Sequence, residues 1–328
     1  MNQLTPQHTH ALITGGAGFI GRHLTGHLLS LGQPVEVIDD LSTGGIHNIE
    51  PYKDHPGFSY TIADMRKEAL LAEMVDRAKV IYHLAAAVGV RLIVENPVRT
   101  IETNIGCTET LLRLANKKGK KVILASTSEV YGKNSHVPFV EDHDLVLGST
   151  SKGRWSYACS KAIDEFLALA YCRDRGLPVV VARLFNTVGP GQTGRYGMVL
   201  PSFVRQALSG QPITVYGDGT QSRCFSAVDE VVRCLSALAE TPEAVGKVVN
   251  VGSTKEVKIL ELAELVKKMT GSSSPIKMVP YEQAYKDGFE DMHRRVPSVD
   301  RLRDLVGFVP QMGIEQVVES VIRYYRER

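Results

Sequence analysis

The chain lacks several features that would place it in a special class of protein. Its 328 residues carry 38 Lys and Arg against 36 Asp and Glu, so there is no excess charge to attract nucleic acid or an anionic membrane. No apolar run approaches the length of a membrane span, and residues 1–10 are polar rather than a hydrophobic signal segment. We therefore expect a cytoplasmic protein that binds neither nucleic acid nor a membrane.

Cysteine is also scarce. The 5 cysteines are odd in number and scattered, without the paired spacing that zinc sites or disulfide frameworks need. We expect no metal site and interpret the cysteines as small core residues, with Cys159 of interest only because it lies near Tyr157. The length allows one large domain or two moderate ones.

A glycine-rich loop follows the first predicted strand. The apolar run at 11–14 leads into GGAGFIG at 15–21 and then into a helix-like segment through Leu31. Gly15, Gly18 and Gly21 allow a tight turn, the approach of a pyrophosphate to the helix N-terminus, and close packing of helix on strand. Strand, loop and helix together predict a dinucleotide site.

An acidic pair follows the second predicted strand, at 35–38. Asp39 lies at about the ~20-residue distance expected of a ribose-binding carboxylate. Such a carboxylate repels a 2′-phosphate, and residues 39–44 contain no Arg or Lys, so NAD is favoured over NADP. From these two loops the predicted cofactor-binding residues are Gly15, Gly18, Phe19, Ile20, Gly21, Asp39, Asp40, Ser42, Thr43 and Gly44.

Strands and helices continue to alternate, with a strand at 58–63, a helix at 67–77, a strand at 80–84 and a helix at 97–118. This rhythm predicts an α/β fold of the Rossmann type, a doubly wound parallel sheet with helices on both faces. Small residues after the fourth strand would let a cofactor lie against the backbone. Asn104 is either exposed in mid-helix or faces the sheet. Further predicted cofactor contacts are Asp64, Met65, Leu84, Ala85, Ala86 and Asn104.

Tyr157 and Lys161 are four residues apart in RWSYACSK, so on a helix they point the same way. A nearby ammonium favours the phenolate, which is a base for a hydroxyl proton. The tetrad alone fits an ordinary amphipathic helix equally well. Its setting favours the functional interpretation, because STSEVYG at 126–132 follows the strand at 122–125, where parallel sheets bind ligands.

The rhythm breaks after the strand at 179–184, where Pro and Gly become frequent. We expect residues 1–185 to form a Rossmann domain and residues 186–328 to form mainly a smaller α/β substrate lobe. The helix at 228–240 and the strand at 247–251 are expected to return to the first domain.

These motifs together resemble the extended short-chain dehydrogenase/reductase family of nucleotide-sugar enzymes, over nearly the whole chain. The resemblance implies an NAD cofactor, a UDP-sugar substrate and a homodimer formed through helices of the first domain. In that family a tyrosine deprotonates a sugar hydroxyl, and a Ser or Thr binds the developing ketone. These roles map onto Tyr157 and Thr127, with Lys161 as the partner of the tyrosine. Arg223 is either a diphosphate contact or a surface ion pair.

Glu129 narrows the reaction. A simple 4-epimerase needs no extra carboxylate, and the family's 4,6-dehydratases resemble one another in Thr-Asp-Glu, where this chain has Ser128. Thr-Ser-Glu is similar to the UDP-glucuronate decarboxylases. GSTSKGRWSYACSK and DGFEDMHRRVPSV look closer still to plant UDP-apiose/UDP-xylose synthases.

Decarboxylation makes chemical sense, because a ketone at carbon 4 lets the carboxylate on carbon 5 leave as carbon dioxide. Arg154 or Arg295 would orient that carboxylate, and Glu129 or its water would manage the following proton. Alternatively, Glu129 only fixes Tyr157 or a loop. Arg295 is one half of the run at 294–295, which is either a charged loop or a substrate clamp.

One segment favours epimerisation over decarboxylation. Gly89-Val90-Arg91 resembles the loop of UDP-glucuronate and related 4-epimerases, in place of a decarboxylase Pro-x-x-Tyr segment. We expect a UDP-xylose-forming UDP-glucuronate decarboxylase, with a UDP-glucuronate or UDP-glucose 4-epimerase as the alternative. A non-catalytic NAD-binding sensor is a third option, disfavoured by the complete Thr127, Tyr157 and Lys161 set. Predicted substrate contacts are Val88, Gly89, Arg91, Ser128, Arg154, Asn186, Val215, Tyr216, Arg223 and Arg295.

Overall fold

The computed structural model describes residues 10–89, 96–194, 198–280, 283 and 292–327. The strands in these ranges are β1 His10–Thr14, β2 Val35–Asp39, β3 Phe58–Ile62, β4 Ala78–His83, β5 Lys121–Thr127, β6 Val179–Leu184, β7 Thr187–Val188, β8 Ile213–Tyr216, β9 Ser222–Cys224, β10 Ser226–Ala227, β11 Val248–Val251, β12 Glu256–Lys258 and β13 Ile276–Val279. The α-helices are α1 Phe19–Ser30, α2 Glu68–Arg77, α3 Pro97–Lys118, α4 Trp155–Arg175, α5 Val199–Leu208, α6 Val228–Glu240, α7 Ile259–Thr270, α8 Asp300–Val306 and α9 Ile314–Arg326.

A parallel sheet of seven strands forms the centre of the described chain, in the order β11-β6-β5-β4-β1-β2-β3. The prediction of a doubly wound parallel sheet is confirmed. The chain winds outward from β1 to β3 and then returns to place β4 beside β1, which creates the switch point of the sheet. Ligands of such sheets bind in the crevice at the carboxyl ends of the strands flanking this point.

Both faces of the sheet are covered because alternate strand residues point to opposite sides. In β1, Ala11 and Ile13 join a core with α1, α6 and α8, whereas Leu12 joins a second core with α2, α3 and α4. Near-continuous apolar strands are what a sheet buried on both faces requires. The sheet is therefore a rigid platform beneath the loops at its carboxyl edge.

The second half of the chain contributes both to this sheet and to a separate core. β11 pairs with β6 at the sheet edge, and α6 packs on α1. Residues of α5, α7, α9 and β8 form another hydrophobic core, which includes Phe203, Leu262 and Val318. Two-stranded pairs, β7 with β10, β8 with β13 and β9 with β12, accompany this core. No helix in the described ranges is both long enough and apolar enough to cross a bilayer.

Candidate active site

A cleft of about 1240 Å³ runs along the carboxyl edge of the sheet and is closed on its far side by the lobe core. Residues from β1 to β6 line one wall, and residues of α5, β8 and β9 line the other. The predicted cofactor residues that line it are Gly15, Gly18, Phe19, Ile20, Gly21, Asp39, Asp40, Ser42, Thr43, Gly44, Asp64, Met65, Leu84, Ala85 and Ala86.

The glycine loop is shaped for close backbone contact. Gly15 has a φ of 74°, and a Cβ there would lie 2.7 Å from the backbone nitrogen of Ala85. A Cβ on Gly21 would collide with the carbonyl of Gly15. Gly18 caps α1 without a side-chain hydrogen bond, which leaves the first-turn N–H groups to an anion. These features fit the pyrophosphate of a dinucleotide.

Asp39, at the predicted ribose site, also hydrogen-bonds to the backbone of the glycine loop. Its Oδ2 accepts from the backbone N–H of Ala17 at 2.9 Å, and its Oδ1 accepts from Leu41 at 2.7 Å. Burial raises the pKa of this carboxyl group, while the two N–H donors oppose that rise. Each carboxylate oxygen keeps a second acceptor position for a ribose hydroxyl.

Asn104 lies behind the cleft wall instead of on it. Its Oδ1 accepts from the N–H of Ala87 at 2.8 Å, and its Nδ2 donates to the hydroxyl of Ser160 at 3.2 Å. The preceding residue, Thr103, lines the cleft, and one helical step turns Asn104 toward the sheet. Asn104 therefore ties the segment after β4 to α4.

Three of the predicted catalytic residues, Thr127, Glu129 and Tyr157, meet at the end of β5. Thr127 is the last residue of that strand, and its hydroxyl accepts from the N–H of Glu129 at 3.2 Å. Tyr157, in the first turn of α4, is hydrogen-bonded to Thr127. Burial, together with the charges of Glu129 and Asp164, raises the pKa of Tyr157, whereas the hydrogen bond to Thr127 lowers it.

Lys161 lines the cleft one turn after Tyr157, as the helical spacing predicts. Its Nζ donates to Oδ2 of Asp164 at 2.7 Å, and both side chains are almost fully buried. Asp164 does not line the cleft and had no predicted role. The lysine thus lies one helical turn from Tyr157 and is paired with a buried carboxylate.

Glu129 is the meeting point of the two arginines predicted to hold a substrate carboxylate. Oε2 accepts from Nη1 of Arg154 at 3.0 Å, and Oε1 accepts from Nη1 of Arg295 at 3.3 Å. The two arginine side chains are 2% and 8% exposed, whereas Glu129 is 15% exposed toward the cleft. Arg154 also lies against the ring of Trp155, 5.8 Å from its centroid. Two buried positive charges therefore converge on one carboxylate beside Tyr157.

The lobe side of the cleft requires one correction. The side chain of Val215 is fully buried in the lobe core, whereas its neighbours Thr214 and Tyr216 line the cleft. Side chains alternate along β8, so of the two substrate contacts predicted on this strand only Tyr216 faces the cleft. Other predicted substrate residues that line the cleft are Val88, Gly89, Ser128, Arg154, Asn186, Arg223 and Arg295. Arg91 lies outside the described residues.

Two further arginines, Arg223 and Arg294, differ in burial. Arg223 is buried, and its Nη1 donates to the carbonyl of Ser222 at 2.7 Å. Arg294 forms a two-point ion pair with Glu256 on the surface, at 2.9 and 2.8 Å. Of the pair at 294–295, only Arg295 lines the cleft. Among the described residues no cluster of His, Cys, Asp or Glu suits a metal ion.

Comparison with known proteins agrees with this geometry. Residues 11–252 match the model of the NAD dependent epimerase/dehydratase family. The chain belongs to this family. The resemblance inferred from the motifs is therefore confirmed, and enzymes of the family use NAD.

Two similar proteins are decarboxylases by name, and one similar solved structure is a 4-epimerase. The chain is 42% identical to UDP-N-acetyl-alpha-D-glucosaminuronate decarboxylase of Bacillus cytotoxicus, over 96% of this chain and 97% of the relative. It is 37% identical to UDP-glucuronic acid decarboxylase 1 of Xenopus tropicalis, over 96% of this chain and 72% of the relative. The solved UDP-glucuronic acid 4-epimerase from Bacillus cereus, in complex with UDP-glucuronic acid and NAD, has a TM-score of 0.86 and 27% identity, covering 97% and 99% of the two chains.

Several residues of the cleft escaped the motif analysis. Arg99, Thr103 and Cys107 line it from α3, and their spacing of four residues is a stripe that the sequence displays. Arg205 and Gln206 line it from α5. Gln206 bonds both to the N–H and to the hydroxyl of Thr214, at 3.1 and 3.2 Å. No local motif marks the α5 pair, because their role depends on how the lobe folds over the sheet.

Proposed function

We propose that this chain is an NAD-dependent decarboxylase of a UDP-hexuronate that acts through oxidation at carbon 4. The observation that carries the proposal is the convergence of Arg154 and Arg295 on Glu129, beside Tyr157. A simple 4-epimerase reaction does not need this paired arginine site. Both decarboxylase relatives act, by name, on UDP-hexuronates, which share the carbon 5 carboxylate and differ at carbon 2.

The cofactor fit supports NAD rather than NADP. Gly15 and Gly21 let the turns of the loop pack directly on neighbouring backbone, where a Cβ would collide, and Asp39 is a buried carboxylate at the predicted ribose position. Bound NAD would supply the acceptor for the hydride of carbon 4 and the hydride donor after decarboxylation. A 2′-phosphate would meet the charge of Asp39 and the neighbouring Asp40. We propose that residues 1–185 with α6 and β11 hold this cofactor, and that the rest of 186–328 holds the UDP-sugar.

Tyr157 acts on the hydroxyl at carbon 4. It takes the hydroxyl proton as carbon 4 becomes a ketone, and it returns a proton when the ketone is reduced. Lys161, one helical turn after Tyr157, supplies a positive charge that favours the phenolate, and the hydrogen bond from Thr127 opposes the effect of burial on the pKa of Tyr157. Thr127 donates a hydrogen bond to the oxygen at carbon 4 and so stabilises the ketone.

Arg154 and Arg295 bind the carboxylate of the substrate by exchange with Glu129. Glu129 accepts hydrogen bonds from both guanidinium groups, and the carboxylate of a hexuronate offers the same charge to the same donors. Once carbon 4 is a ketone, the bond from carbon 5 to the carboxyl carbon breaks. Its electron pair remains as the enolate of carbons 4 and 5, and carbon dioxide leaves. Glu129, released from the arginines, takes up a proton from solvent and donates it to carbon 5, so that the whole reaction consumes one proton.

A UDP-glucuronate 4-epimerase is the second candidate. Gly89 borders the cleft with a φ of 120°, in a run that resembles the loop of such epimerases. If that loop held the carboxylate away from Arg154, carbon dioxide would be retained and the ketone would turn over.

Product analysis separates the two reactions. The purified protein is incubated with NAD and one nucleotide sugar at a time, which is UDP-glucuronate, UDP-N-acetylglucosaminuronate or UDP-glucose. Products are separated by chromatography and identified by mass spectrometry, because an epimer has the same mass as its substrate. A decarboxylase gives a product lighter by carbon dioxide from one or both hexuronates and leaves UDP-glucose unchanged. An isobaric product from any of them supports the epimerase, and no conversion of any of the three refutes both. The Arg154→Lys variant is the matched control, because it keeps the charge but loses the planar fork.

We also propose a homodimer through α3 and α4. Val98 and Phe166 are 67% and 71% exposed, and Ile101 and Ile163 are also exposed on these adjacent helices. A contiguous apolar face of this kind is typical of an interface between subunits. Phe166→Asp should yield a monomer in analytical ultracentrifugation. The control is Leu31→Asp at the end of α1, 63% exposed but away from this face. A dimer that persists in Phe166→Asp would contradict the proposal.

A further inference from the structure

Lys161 and Asp164 form an ion pair that is almost completely removed from water. The side chains are 2% and 0% exposed, and the N to O distance is 2.7 Å. Moving two charged groups out of water costs several kcal/mol for each ion. Their mutual attraction regains an energy of about the same size. A buried pair is therefore weak evidence of stabilisation and calls for another reason.

The next residue along α4 offers a useful contrast. Glu165 receives three hydrogen bonds from Arg183, at 2.7 to 3.2 Å, and its partners lie on β5 and β6. That pair joins the helix to the sheet and does not touch Lys161. Asp164, by contrast, accepts a hydrogen bond from Lys161, which lies one helical turn after Tyr157.

A chain of neutral groups leads to Asp164 from the glycine loop. Thr14 bonds to Nδ1 of His83 at 2.7 Å, and Nε2 of His83 bonds to the hydroxyl of Thr108 at 3.1 Å. Thr108 lies near the carboxyl group of Asp164 and lowers its pKa, and Oδ1 of that carboxyl group has no hydrogen-bond partner among the described residues. Burial and the charge of Lys161 lower the pKa of His83 to about 3, so this imidazole is neutral at physiological pH.

Among the described residues, the groups that face Tyr157 and Asp164 come from α3, α4, β4 and the turn after β5. Tyr157 is faced by Glu129 from the turn after β5, and by Lys161 and Asp164 from its own helix. Asp164 is faced by Lys161 and Glu165 on α4, by Thr108 on α3, and through Thr108 by His83 on β4. The negative charge of Asp164 thus acts on Tyr157 both directly and through Lys161.

We propose that Asp164 is a positioning residue for the reaction, which anchors the ammonium of Lys161 and balances its charge next to Tyr157. The inference rests on the proposed function, in which Tyr157 is the base. Because Asp164 opposes part of the charge of Lys161, the phenol keeps its proton more firmly and is a stronger base once it has lost it. The thin connection through Thr108 and His83 holds the carboxylate in place without adding charge.

The test measures Tyr157 directly. In Asp164→Asn, the negative charge facing Tyr157 is removed, so the tyrosinate should form at lower pH than in the unaltered protein. This is read by ultraviolet difference absorbance of the NAD-loaded protein against its Tyr157→Phe counterpart, which cancels the other tyrosines. No sugar is needed, so the result is independent of whether the protein is a decarboxylase or an epimerase.

Kinetics give a second readout. The acid limb of the kcat profile should also move to lower pH, and the plateau kcat should fall by up to about tenfold, because the base is weaker and its partner less fixed. The KM for the UDP-sugar should change little, since Asp164 does not line the cleft.

Two milder variants distinguish the proposed effect from misfolding of the Asp164→Asn protein. Thr108→Val removes only the hydroxyl that faces Asp164 and should shift the tyrosinate titration in the same direction by a smaller amount. Thr25→Val removes a buried hydroxyl that has no hydrogen-bond partner among the described residues, so it controls for the loss of a buried oxygen. An unchanged titration in both Asp164→Asn and Thr108→Val, or a shift to higher pH in either, would overturn the proposal. A lower melting temperature with no shift would make Asp164 a structural residue only.

Discussion

The exchange of carboxylates at the arginine pair can be tested through stability, without turnover. Glu129→Gln keeps the shape of the side chain but removes the charge that Arg154 and Arg295 share. Removing one partner of a buried pair costs about 3–5 kcal/mol, and because Glu129 borders the water-filled cleft we expect about 2 kcal/mol. With about 2.1 cal/mol/K of unfolding entropy per residue over 328 residues, this lowers Tm by about 3 °C.

A hexuronate should restore what the substitution removes. In a Tyr157→Phe background, which prevents turnover, UDP-glucuronate should raise the Tm of the Glu129→Gln protein more than UDP-glucose does. The same comparison with Glu129 intact should show a smaller difference, because the substrate carboxylate must then displace a resident one. The assay is thermal unfolding with saturating NAD and each nucleotide sugar.

The matched control uses the surface ion pair of Arg294 and Glu256, which lies outside the cleft. Glu256→Gln removes a carboxylate from one arginine but should not change the difference between the two ligands. If UDP-glucuronate and UDP-glucose differ by the same amount with Glu129 and with Gln at position 129, the arginines do not receive the substrate carboxylate. The mechanism by exchange would then be refuted.

Three further predictions concern the base and the cofactor. Tyr157→Phe should lower kcat by about 10²–10⁴-fold while NAD still co-purifies, and measurable loss of NAD would instead indicate a structural defect. Gly15→Ala should greatly weaken NAD binding by calorimetry, because the new Cβ would lie 2.7 Å from the nitrogen of Ala85 in a backbone conformation unfavourable to alanine. Asp39→Asn should reduce the preference for NAD over NADP by at least about tenfold, measured as the ratio of the two Kd values. An unchanged ratio would show that another group excludes the 2′-phosphate.

Much of the cofactor side was predictable because its signals are local. A turn that needs glycine, a strand that ends in an acid, and Tyr157 one helical turn before Lys161 are each contained within a few residues. Val215 shows the limit of such reasoning, since a motif places a run of residues but the pleat decides which side chain enters the cleft. Asn104 shows the same for a helix, where one residue of rotation separates the cleft wall from its support.

By itself, the sequence determined the α/β order and the glycine loop and predicted which groups react, because periodicity and turn chemistry act over short distances. Only the tertiary structure decided which charges meet. Arg154 and Arg295 are far apart in the chain, yet both bind Glu129, and Asp164 became significant only when its side chain was found buried against Lys161. Such pairings depend on how sheet, helices and lobe pack together, and the strength of each depends on its removal from water.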